Sequence, residues 1–141
     1  MIHLEDRNAQ NFINGYIEAA LWSSTCQEFD EDSGQTIDVP VDRNHDKDDL
    51  TDDSMQLIVE DCLRFMRENA RDIERATLSP RVNNYTYASA GHDFWLTRNR
   101  HGAGFWDRGF SKQLGDALTA AAHSYGESFV VVTAGGKVHF A

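Results

Sequence analysis

Cysteine and proline are scarce in this chain, with two of each among 141 residues. Two thiols cannot staple a disulfide scaffold, and neither Cys26 nor Cys62 stands in a CxxC or beside a histidine, which excludes the common zinc-ribbon and redox patterns. Both are expected as packed, reduced thiols. Also missing is an apolar run long enough to span a bilayer, and the opening MIHLEDRNAQ lacks the basic and apolar parts of a signal peptide. The reading is a soluble, cytoplasmic protein with no membrane role.

Positive charge is the third deficit. Thirteen Lys and Arg stand against 23 Asp and Glu, a formal net charge of −10. The shortfall is local: residues 81–141 hold 6 basic and 4 acidic side chains, whereas residues 1–80 hold 7 and 19. Phosphate affinity comes mainly from Lys and Arg, so the first half would be repelled by nucleic acid and no direct contact with it is expected.

The length suits one domain, residues 1–141, and 40% hydrophobic residues can supply its core. Phe12, Ile13, Tyr16, Ile17, Ala20 and Leu21 recur at helical spacing, predicting a helix from Asn8 to about Ser24 with Asp6 or Asn8 as its cap. Residues 27–53 are crowded with carboxylates, and TIDVPV offers at most a short extended piece, kept to an edge or loop by Pro40. This segment is expected to be a solvated, mobile loop. A long helix follows, capped by Asp52, Asp53 or Ser54 and running to about Ala76, with Ile58, Cys62, Phe65 and Met66 on its apolar side.

Beyond Pro80 the pattern turns aromatic. NNYTYAS reads as a strand, and DFWLTRN with AGFWDR as a hairpin turning at RHG, with one ring of each Phe-Trp pair facing inward. Phe110 to Tyr125 reads as a helix ended by Gly126, and SFVVVTAGGKVHF as a terminal hairpin turning at Gly135 and Gly136. The fold class is α+β: a small antiparallel sheet, made of the aromatic and C-terminal hairpins, packed with about three helices.

Two chemistries compete for the aromatic block. His92, Asp93 and His101, with Asp107 or His139, offer the nitrogen and oxygen donors of a metal-dependent hydrolase or nucleotide-processing enzyme, although their spacing matches no zinc signature. The other reading makes the block a platform, with Trp95 and Trp106 available to a partner. No cofactor is expected on that reading. The run AGHDFWLTRNRHGAGFWDRGF followed by LGDALTAAAHSYG resembles a block in small uncharacterised proteins of bacteriophages and related mobile elements, over about the last third of the chain. The resemblance implies a viral setting and carries no catalytic residues.

The acidic stretch suggests a role in recognition. Its carboxylates fail the calcium-loop pattern, because Lys47 takes the glycine position of a loop opening at Asp42 and Gly34 comes one place early for a loop opening at Asp30. Asp30, Glu31, Asp32, Asp42, Asp46, Asp48, Asp49, Asp52 and Asp53 instead offer a negative surface to a basic host protein, one that normally holds nucleic acid. The leading expectation is therefore a phage-encoded accessory protein, working in the host cytoplasm, that binds and inhibits a host macromolecule by mimicking nucleic-acid charge. A virion or assembly component that self-associates through the aromatic hairpin is the remaining alternative.

Overall fold

The computed structural model describes residues 6–141. Among the described residues, five helices and two small two-stranded antiparallel sheets make an α+β fold. Helix α1, Arg7–Ser23, begins where the Asp6 carboxylate accepts hydrogen bonds from the amides of Asn8 and Ala9. Strands β1, Thr25–Asp30, and β2, Gln35–Pro40, form a hairpin in full register from Thr25 opposite Pro40 to Asp30 opposite Gln35. Two 3-10 turns at Val41–Arg43 and Lys47–Asp49 lead into α2, Asp52–Glu68.

Helix α3, Ala70–Leu78, follows after a break at Asn69. The Asn69 side chain donates to the Phe65 carbonyl at 3.0 Å, closing the end of α2 from outside the helix ladder. Helix α4 is Tyr87–Arg98 and α5 is Lys112–His123, separated by a 3-10 turn at Phe105–Asp107. Strands β3, Val130–Val132, and β4, Val138–Phe140, form the terminal hairpin, with Gly136 at a φ of 80° in its turn.

The core is helical and aromatic. Phe12 of α1, Phe65 of α2 and Phe94 of α4 stack at its centre, Phe65 and Phe94 with centroids 4.1 Å apart. Helices α1 and α4 meet at two glycines. A Cβ on Gly15 would collide with the carbonyl oxygen of Ala88, and one on Gly91 with that of Phe12. Only hydrogen fits between the two backbones there.

The C-terminal hairpin locks onto this core. Leu50 bridges to Val138, and the Thr51 amide donates to the Val138 carbonyl at 3.0 Å. Phe140 is buried against Trp95, while its amide donates to the buried Ser54 hydroxyl at 2.8 Å.

Several expectations are corrected here. The aromatic hairpin does not exist: DFWLTR belongs to α4, and FWD is a 3-10 turn. NNYTYAS is a bend followed by the first turn of α4. The acidic segment is a hairpin with two 3-10 turns, so its description as a loop fails, although the extended piece at TIDVP is present. The long second helix is two helices, its cap is Thr51, and five helices replace about three.

Candidate functional site

A cleft of about 420 Å³ opens between α1, α4 and the bend that precedes α4. Its floor is built by Asp93, the seventh of the twelve residues of α4 and only 1% exposed. Tyr85 donates its hydroxyl to Asp93 Oδ2 at 2.7 Å, and Arg108 donates through Nε at 3.1 Å and Nη2 at 2.6 Å. Arg108 is positioned by the turn after α4, so the pair ties that turn back onto the helix. Burial, then the Asp93 charge, push the Tyr85 phenol well above its ordinary range, and the hydrogen bonds raise Arg108. The Asp93 carboxylate has its lone pairs committed and its charge balanced, which leaves no free base at the cleft floor.

His92 lies at the rim, half-buried, with its ring 5.8 Å from that of exposed Trp22. Burial lowers its pKa, Arg108 adds to the effect, and Asp93 and Glu18 oppose it. Because the folded value lies below the unfolded one, the unfolded chain binds the proton first as pH falls through about 6.5. Stability tied to His92 is therefore intact at neutral pH and lost on acidification, until the lower folded value is passed. In His92→Gln the fall in unfolding free energy between about pH 7 and about pH 5 should shrink, as read by denaturant titration at each pH. An unchanged fall would show that the ring is hydrated alike in both states.

The structure does not bring the expected metal group together. His101 is exposed in a separate hollow beside Ser128 and Phe129, past the C-terminal end of α4. Asp107 accepts from the Gly104 amide at 3.0 Å, and His139 sits on Thr51 and Ser54. The tryptophans part as well. Trp95 is 2% exposed and donates to Ser23 Oγ at 2.9 Å, which corrects its assignment as a partner-facing ring, whereas Trp106 is 53% exposed.

Arg98, the last residue of α4, is a structural anchor. It is 5% exposed, and its guanidinium donates to Tyr16 Oη and Asp61 Oδ2, both at 2.9 Å, and to the carbonyls of Gly126 and Tyr125. The same group lies over the Phe94 and Tyr125 rings. Burial and Glu68 push the Tyr125 phenol up to about 12. This cation joins α1, α2, α4 and the end of α5.

In the acidic segment the carboxylates other than Glu28 fall into two sets. Asp30 accepts from the Ser33 amide at 3.1 Å, and Asp46 and Asp49 cap the second 3-10 turn reciprocally, so these three shape the backbone. Glu31, Asp32, Asp38, Asp42, Asp48, Asp52 and Asp53 are exposed. Among the described residues, no Lys or Arg lies within ion-pair distance of any of the seven. Phe29, 68% exposed on the outward face of β1, is an apolar side chain in their midst.

One group with metal-ligand chemistry emerges among the described residues: Cys26, Glu28 and His45. Burial, then Glu28 and Asp38, push the Cys26 thiol up, so it is not set up as a nucleophile. No zinc spacing motif announces the trio, because the hairpin brings His45 back to β1 from outside the strand pair. Comparison with known proteins finds no matching family model, no matching curated protein and no matching solved structure. Among the described residues, no helix is long and apolar enough to cross a membrane.

Proposed function

We propose that the protein is a non-catalytic binding protein that presents its acidic hairpin and the turns after it to a basic partner, one that ordinarily grips nucleic acid. The observation that carries this reading is the set of seven exposed carboxylates held on defined backbone, none of which forms an ion pair with Lys or Arg among the described residues. Fixed, unneutralised charge draws a cationic surface at long range and sets its orientation on contact. Exposed Phe29 adds an apolar contact inside the charged field, the kind of aromatic anchor that binding surfaces favour. The sequence resemblance supports a setting in a phage-infected cell, with a host macromolecule as the partner and its inhibition as the outcome of binding.

The hydrolase reading gains nothing from the geometry. Its acid is neutralised in the cleft floor, and its two histidines lie in separate hollows.

The test neutralises four of the seven carboxylates in one variant: Asp32→Asn, Asp38→Asn, Asp42→Asn and Asp48→Asn. Protein immobilised on beads is offered bacterial lysate at low and high salt, with and without competing duplex DNA. A basic, nucleic-acid-binding protein should be recovered at low salt, released by high salt and displaced by DNA. Exposed charge pairs contribute about 0.2–1 kcal/mol each, so the variant should bind that partner on the order of 30-fold more weakly. Recovery unaffected by the four substitutions, or no specific recovery, would remove the proposal.

A further inference from the structure

Successive side chains of a strand point to opposite faces, so Cys26 and Glu28, two residues apart on β1, share one face. It is the inner face: Val39, paired with Cys26 across the hairpin, is buried. The chain leaves β2 at Pro40 and returns past this face, with the Val41 amide donating to the Ser24 carbonyl at 2.9 Å. That return delivers His45. The Cys26 sulfur, a Glu28 carboxylate oxygen and a His45 ring nitrogen then lie within 4.8 Å of one another.

Neighbours support two of the three groups from behind. Glu28 Oε1 faces His45 Nε2 at 3.9 Å, while Oε2 accepts a hydrogen bond from the Asn44 amide. The other ring nitrogen of His45, Nδ1, is 3.6 Å from Asp49 Oδ2, and that oxygen is itself held by the Asp46 amide at 3.0 Å. A carboxylate behind a histidine fixes the ring and makes its outward nitrogen a better donor. The His45 side chain is 14% exposed, so it is shielded without being sealed.

We propose that Cys26, Glu28 and His45 form a binding site for one divalent transition-metal ion of the zinc class, with water completing the coordination. Zinc accepts thiolate sulfur at about 2.3 Å and imidazole or carboxylate donors at about 2.0–2.2 Å, in tetrahedral array. That array needs donor atoms about 3.3–3.6 Å apart, so the three side chains close by roughly 1 Å on binding. Sulfur and nitrogen donors discriminate against magnesium and calcium, which prefer all-oxygen sites. The Cys26 thiol gives its proton to solvent as the metal–sulfur bond forms. An ion held there pins the acidic hairpin to the turns at residues 41–49. This inference does not depend on the partner proposed above.

The experiment uses the full chain without a histidine tag. Cobalt(II), the spectroscopic stand-in for zinc, is titrated into reduced protein, and zinc is then added in competition. The expected result is a thiolate-to-cobalt charge-transfer band that saturates at about one equivalent and is bleached by zinc. Cys26→Ser should abolish the band, and His45→Gln should weaken zinc binding by about 10- to 100-fold. Asp32→Asn at the hairpin tip should change neither, and circular dichroism confirms that each variant is folded. The proposal is overturned by the absence of a band, by a band that survives Cys26→Ser, or by zinc affinity that falls as far with Asp32→Asn as with His45→Gln. The last outcome would mean diffuse attraction to the acidic segment.

Discussion

Gly91→Ala should lower the melting temperature by roughly 10 °C, the equivalent of about 3 kcal/mol in a chain of this length. Two effects oppose each other. Alanine is the better helix former by about 1 kcal/mol, but its methyl would sit well inside contact distance of the Phe12 carbonyl oxygen. That obstacle is backbone in the middle of α1, so no side-chain rotation relieves it. Gly15 presents the same conflict to Ala88, so the helices cannot slide to spare one glycine without meeting the other. Moving them apart would open the Phe12, Phe65 and Phe94 stack. Gly102→Ala is the control, since nothing lies within 4 Å of its added methyl; it should stay within about 0.5 kcal/mol of wild type. Thermal and urea denaturation of the pair decide the matter, and a Gly91→Ala protein as stable as wild type would refute the close crossing.

Arg98→Ala should cost about 3–5 kcal/mol, the range for removing one member of a buried ion pair. The penalty comes less from lost attraction than from what is stranded. Asp61 loses its cation, and the Tyr16 hydroxyl and the carbonyls of Tyr125 and Gly126 lose their donor. Arg98→Lys should recover little of this, because one ammonium cannot reach four acceptors that a planar guanidinium spans. Arg98→Met keeps the aliphatic bulk against Phe94 and Tyr125, and so separates packing from polar loss. If denaturation shows Ala, Met and Lys all within about 1 kcal/mol of wild type, which is the range of an exposed pair, the anchoring role is wrong.

The parts of the fold legible in the sequence are those with one wet and one dry side. Helices α1 and α5 bury a stripe and expose the rest, so their apolar residues recur at helical spacing. The terminal hairpin is marked by its glycine pair and flanking valines. Helix α4 has no such contrast. Ala90, Gly91, Asp93, Phe94, Trp95, Leu96, Thr97 and Arg98 are all buried, so no stripe survives and the aromatics read as strand. The cue that could have found it is its start, where Thr86 and Ser89 cap each other.

In the acidic segment charge masked geometry. Glu31 to Gly34 form a turn, with Gly34 at a φ of 70° and its amide donating to the Asp30 carbonyl, and the flanking residues pair despite their polarity. His92 and Asp93 are adjacent in sequence, but His101 follows the end of α4 and leaves their neighbourhood. Cys26, Glu28 and His45 meet only because the chain after the hairpin returns His45 to β1, so spacing alone could not have paired them.

The partnership of α1 with α4 has a bearing on how the molecule assembles. More than 60 residues separate Gly15 from Gly91, and the last strand must still travel back to Leu50 and Trp95 before the centre is shut. No contiguous half of the polypeptide owns both walls of its own interior. Such a molecule orders itself all together, and a nick in the acidic hairpin would leave two fragments that hold shape only in each other's company.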